Sequence, residues 1–103
     1  MEKTKDISMV EIAEKFKVFE DDSQYNVIFL NDPDTWFEFV KLILVEVFDY
    51  DNADAHRKTK DIEKNGQAIV ATLPMETAYE KVDIVEVLNE IYGFSLQTMV
   101  EQA

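Results

Sequence analysis

The run Asp49-Tyr50-Asp51-Asn52-Ala53-Asp54-Ala55-His56 concentrates carboxylates beside an imidazole, which is the raw material of a cation site. The spacing does not deliver one. A calcium loop starting at Asp49 needs an oxygen ligand where Ala53 stands, a glycine at Asp54 and a glutamate at Lys60. His56 is the only histidine and the chain has no cysteine, so a zinc site lacks its nitrogen and sulfur ligands. These acids suit a plainer task, capping the N-terminus of a helix. Nucleophilic catalysis has little support: Ser8, Ser23 and Ser95 lie in no elbow motif, and a relay lacks its second histidine. With two glycines in total there is no phosphate-cradling loop. A working carboxylate pair stays open among 22 acids, but number alone carries no geometry. Trp36, Phe37 and Phe39 could form an aromatic recognition surface; their helical spacing favours the core instead. No metal, cofactor or catalytic residue is expected.

Any such site rests on a chain of 103 residues, 47% hydrophobic, which is the material of one domain with a real core. Ten Lys and Arg against 22 Asp and Glu leave a net charge of -12. That balance repels nucleic-acid backbones and anionic membrane surfaces. Apolar runs such as Val45-Glu46-Val47-Phe48 are broken by charge well short of a membrane span. Met1-Glu2-Lys3-Thr4-Lys5-Asp6 lacks the apolar stretch of a signal peptide. The expectation is a soluble, acidic, cytoplasmic domain.

Periodicity places the elements. Met9, Ile12, Ala13 and Phe16 predict a short amphipathic helix within 7–19, followed by the acidic break Glu20 to Gln24. Residues 1–24 thus read as an N-terminal arm and 25–103 as the domain. Tyr25 to Leu30 is β-branched and aromatic, a buried strand that Asn31-Asp32-Pro33-Asp34 turns. Thr35 and Glu38 have capping-box spacing, so a helix is expected from about Trp36, burying Phe37, Val40, Ile43, Leu44, Val47 and Phe48. A polar second helix from Asn52 to Lys64, capped by Asp51 or Asn52, stops at Gly66. Gln67 to Leu73 is a strand. Pro74 suits the first turn of a third helix to about Tyr92, with Ala78, Val82, Val85 and Leu88 inward and Gly93 as its stop. Phe94 to Val100 completes a β-α-α-β-α-β order, an α+β fold: a small antiparallel three-stranded sheet covered by three helices.

The stretch Asn31-Asp32-Pro33-Asp34-Thr35-Trp36-Phe37-Glu38-Phe39-Val40 after a hydrophobic strand resembles the ClpS family signature. The likeness continues through Phe48-Asp49-Tyr50-Asp51, Ala55, Gly66-Gln67-Ala68-Ile69-Val70, Glu76-Thr77-Ala78, Lys81-Val82 and Leu96. The Gly-x-Ala-x-Val strand and Glu-x-Ala-x-x-Lys-Val helix make the combination specific. The resemblance implies a non-enzymatic Clp protease adaptor, which binds substrates with a bulky hydrophobic N-terminal residue and hands them to a AAA+ unfoldase of the ClpA or ClpC type. It implies a monomer without cofactor. Matching positions put Asn31 and Asp32 at the substrate's α-ammonium, with Thr35, Phe37, Val40, Thr59, Ile62 and Leu96 around its side chain. Asn31 offers a carbonyl and Asp32 a carboxylate, suitable acceptors for a cation with three donors.

Two positions depart from the family pattern. Its second helix presents Met-x-x-Val-His, whereas this chain has Thr59-Lys60-Asp61-Ile62-Glu63. Glu63 replaces the amino-group-binding histidine, and a carboxylate there still accepts from an ammonium. Thr59 is smaller and more polar than Met, so a roomier and less strictly apolar pocket is expected. These departures motivate an alternative, a ClpS-like regulator or decoy that docks on the unfoldase without reading N-termini. Docking on the unfoldase N-terminal domain is implied for Glu76 and Lys81 at the start of the third helix. A charge on an exposed helix face contributes little to folding, so reversing Lys81 is expected to weaken docking and leave the thermal midpoint in place. The arm corresponds in position to the family's N-terminal extension, which enters the unfoldase.

Overall fold

The computed structural model describes residues 23–103, so the helix expected within 7–19 lies outside the described residues. Strand β1 (Tyr25–Leu30) is followed by helices α1 (Phe37–Glu46) and α2 (Asn52–Asn65). Strand β2 (Gln67–Leu73), helix α3 (Met75–Tyr92) and strand β3 (Gln97–Gln102) complete the order. The sheet is antiparallel with β1 in the centre, between β2 and β3. That position explains why β1 is the most apolar strand: it has no free edge.

Tyr25 pairs with Leu73 and Leu30 with Gln67, but the register shifts between Val27 and Ile28, so Val70 is the extra residue of a bulge. The bulge resets the alternation of β2. Ala68 and Val70 face the core before it, and Ala71 and Leu73 after it. The carbonyl of Val70 accepts a hydrogen bond from the Tyr50 hydroxyl at 2.6 Å. Burial pushes the Tyr50 phenol upward from its ordinary 10.0.

The core lies between the sheet and the helices. Val27 and Phe29 of β1 meet Phe39, Val40, Ile43 and Leu44 of α1, Ala55 and Ile62 of α2, and Ala78, Val82 and Val85 of α3. Full burial of side chains such as Ile43 and Leu44 stabilises by roughly 1.5–3 kcal/mol each. Asp51 caps α2 through its carboxylate, which accepts from the Asp54 N–H at 2.7 Å. Gly66, at φ 86°, closes α2 in a left-handed conformation that side chains rarely adopt.

Four expectations need correction. Helix α1 starts at Phe37, and Trp36 occupies its N-cap without a side-chain bond, because the Thr35 hydroxyl donates to Asp32 rather than closing a capping box. Trp36 consequently stands outside the buried stripe, 70% exposed, although Phe39 is core and packs on Phe94. Pro74 is the N-cap of α3 rather than a first-turn residue, its carbonyl accepting from the Ala78 N–H. Strand β3 begins at Gln97 and not at Phe94. The Asn89 side chain donates to the Leu96 carbonyl at 2.9 Å and accepts from the Leu96 N–H at 3.1 Å, so that backbone is already satisfied.

Candidate functional site

The end of β1 carries a tightly tied turn. The Asn31 N–H donates to the Gly66 carbonyl at 2.8 Å, which joins the start of the turn to the end of α2. The Thr35 N–H donates to the Asp32 carbonyl at 3.0 Å, and the Thr35 hydroxyl to the Asp32 carboxylate at 2.5 Å. Thr35 also accepts from the Ser95 N–H at 3.4 Å. Asp32 is thus oriented by its neighbour, with acceptor capacity left over.

A narrow cleft lies beside this turn, its cavity volume only about 10 Å³, so the roomier pocket expected from Thr59 is not open in this structure. Its polar rim is formed by Asn31, Asp32, Thr35 and Glu63, and its apolar wall by Phe37, Val40, Ile62 and Leu96, with Thr59 among them. Every residue expected at the amino-group and side-chain positions therefore borders one cavity. Leu30 borders it too, a residue that the sequence reading placed only in the strand; its position immediately before Asn31 was the available signal. Val40, Ile62 and Leu96 are buried, while Phe37 is half-buried and Asn31 and Glu63 are exposed. The expected polarity at Thr59 does not reach the cleft as a free hydroxyl. That group donates to the Ala55 carbonyl at 2.7 Å, back-bonded within α2, and the residue is 1% exposed.

The rim and wall differ in what they can hold. Asn31, Asp32 and Glu63 present carbonyl and carboxylate acceptors, and the carboxylates add negative charge. An apolar wall continues directly from them. The arrangement fits a small amphiphile with a cationic head and an apolar side chain. His56, also on α2, is exposed, and its ring stands 5.0 Å from that of Phe37 between centres, inclined at 62°. Among the described residues no group of His, Cys, Asp or Glu side chains gathers to hold a metal, and no helix is long and apolar enough to cross a membrane.

The two expected docking residues have different surroundings. Glu76 is exposed in the first turn of α3. Lys81 is half-buried, its ammonium donating to the Val47 carbonyl at 2.7 Å and lying 5.7 Å from the Phe48 ring centre. It is not a simple solvated charge, and the expectation that its reversal leaves folding untouched is corrected.

A family model described as "ATP-dependent Clp protease adaptor protein ClpS" matches residues 20–99. The ATP-dependent Clp protease adapter protein ClpS of Clostridium acetobutylicum is 37% identical over 86 residues, 84% of this chain and 84% of its own. That of Acetivibrio thermocellus is 34% identical over 83 residues, 81% of this chain and 84% of its own. The fold is similar to that of Agrobacterium tumefaciens ClpS2, whose structure is bound to L-phenylalaninamide. That comparison has a TM-score of 0.75 at 28% identity, covering 79% of this chain and 98% of the other.

Proposed function

This chain belongs to the ClpS family of Clp protease adaptors, and from that premise we propose that it binds N-degrons with bulky hydrophobic N-terminal residues and delivers them to a AAA+ unfoldase. The observation that carries the reading is the meeting of acceptors Asn31, Asp32 and Glu63 with an apolar wall at one cleft. An N-terminal residue has the same two halves, an α-ammonium with three donors and a side chain a few bonds away. The ligand of the Agrobacterium relative, L-phenylalaninamide, has a free amino group and an aromatic side chain, which supports the same reading.

In this mechanism Asn31 accepts through its side-chain carbonyl, and Asp32, held by Thr35, and Glu63 accept through carboxylates. Each charge-assisted bond contributes about 1.5–3 kcal/mol. The substrate side chain enters between α1 and α2 against Phe37, Val40, Thr59, Ile62 and Leu96, gaining about 1.5–3 kcal/mol from burial. After the cost of ordering the peptide, the expected affinity is about micromolar. Acetylating the peptide removes the cation, leaves one N–H donor for three acceptor groups and adds an acetyl group where the ammonium would sit. Discrimination against internal peptide segments follows from the same mismatch.

Delivery requires a second surface. We assign it to the start of α3, with Glu76 and Lys81, docking on the N-terminal domain of a ClpA- or ClpC-type unfoldase. The segment 1–24 serves as the extension that engages the unfoldase, and the adaptor acts as a cytoplasmic monomer. It binds and passes on its cargo; no chemical step is assigned to it. The test is calorimetric titration with peptides beginning with Leu, Phe, Tyr and Trp, beside capture on an unfoldase N-terminal domain. Binding of both partners is expected. Capture without peptide binding contradicts the degron reading and favours the regulator; failure of both contradicts the assigned function as a whole.

A further inference from the structure

We infer that His56 is a positioning residue for the apolar end of the cleft: through its contact with Phe37 it sets which N-terminal side chains are admitted. The inference rests on the degron reading and adds a specificity determinant outside the cleft lining.

The geometry starts from α2. His56, Thr59 and Glu63 are spaced by three, four and seven residues and so share one side of that helix. At about 1.5 Å rise per residue, His56 lies about 10 Å along the axis from Glu63. The cleft borders α2 at Glu63, Ile62 and Thr59, and His56 stands three residues before Thr59. Phe37 lines the cleft and also carries the ring contact to His56, 5.0 Å between centres at 62°. With bonds of about 1.5 Å, an extended Leu or Phe side chain anchored by its amino group reaches roughly 4–7 Å, into the region that Phe37 walls.

Phe37 also lacks the Phe94 contact that the neighbouring aromatics share. Trp36 and Phe39 both pack on Phe94, and Phe39 meets Tyr92 as well. Phe37 turns to α2 instead and is only half-buried. As the first residue of α1 it has no preceding helical turn to pack on. The inclined imidazole is thus the aromatic contact that restrains the ring's choice of rotamer. Losing that contact lets the ring swing outward, so the wall yields to side chains that it otherwise turns away.

The experiment uses the full chain with His56→Ala and His56→Phe, titrated with peptides that differ only in an N-terminal Leu, Phe, Trp, Ile or Val. In His56→Ala the ratio of affinities between the best and worst of these is expected to shrink by about 3–10-fold, the range of one aromatic contact. His56→Phe, which keeps an aromatic ring at that place, is expected to restore the parent ratio. The same contact supports folding, so the thermal midpoint of His56→Ala should fall by about 2–12 °C and recover in His56→Phe. An unchanged ratio in His56→Ala overturns the inference, as does a parallel weakening of all five peptides or a failure of His56→Phe to restore the profile. If the parent binds none of the peptides, the degron reading itself fails and takes this inference with it; a parent that binds, with an unmoved profile in the variants, sinks the positioning role alone.

Discussion

Lys81→Met separates a structural role from a docking role at the start of α3. The Lys81 ammonium donates to the carbonyl of Val47, the residue that ends α1, and sits beside the Phe48 ring. It therefore meets the negative end of the α1 dipole and fulfils a carbonyl that the helix leaves unpaired. A hydrogen bond from a charged donor contributes about 1.5–3 kcal/mol. A half-buried ammonium remains partly screened by water, which brings the expectation down to about 1–2 kcal/mol. Met keeps the apolar stem and removes only the donor and charge, so packing loss is small. At about 4–8 °C per kcal/mol for a domain of this size, the thermal midpoint should fall by about 4–15 °C. Differential scanning calorimetry checks it, with Lys81→Arg as the control that retains a cation. A midpoint within about 2 °C of the parent for Lys81→Met refutes the capping argument. Lys81 would then be a solvated residue whose only remaining role is at a partner.

Tyr50→Phe should cost about 1–3 kcal/mol in chemical denaturation, because the bulged Val70 carbonyl loses its donor. Since burial raises the folded phenol above its unfolded value of 10.0, its contribution is complete below pH 10 and is lost as pH rises toward the folded value. The parent should lose stability between those points more steeply than Tyr50→Phe. Asn89→Ala should cost about 1–3 kcal/mol by releasing both backbone groups of Leu96, and should also weaken peptide binding through the displaced cleft wall; calorimetry and titration read the two effects. Thr59→Met adds volume to a side chain that is 1% exposed, so we expect a stability change of about 1–3 kcal/mol and a selective loss of Trp- and Phe-initiated peptides relative to Leu, measured by titration.

Elements with local causes were legible in the residues. The Asp51 cap, the Gly66 stop and the β-rich run Gln67–Leu73 stand where spacing and turn chemistry put them, and the order of strands and helices follows. The convergence of Asn31, Thr59, Glu63 and Leu96 on one cleft came instead from family resemblance, since these residues are far apart in the chain and no period links them. What escaped was decided by which partner a side chain takes, a local choice at Thr35 and Asn89 and a long-range one at Lys81. Thr35 has a capping partner at Glu38, yet its hydroxyl is claimed by Asp32. Phe94 to Leu96 has strand composition, but the Asn89 side chain satisfies the Leu96 backbone before a ladder can. Lys81 reads as surface charge until α1 ends beneath it.

The most direct test of the amino-group site is a double-mutant cycle between Glu63→Gln and acetylation of a Leu-initiated peptide. If the cleft holds the α-ammonium through Glu63, acetylation weakens parent binding strongly, and Glu63→Gln removes about 1–3 kcal/mol from the free peptide but little from the acetylated one. The predicted result is a coupling energy of that size. Equal affinity for free and acetylated peptides would contradict the account at its centre, and a cycle that closes at zero with acetylation still harmful would leave Asn31 and Asp32 as the acceptors and remove Glu63 from the site.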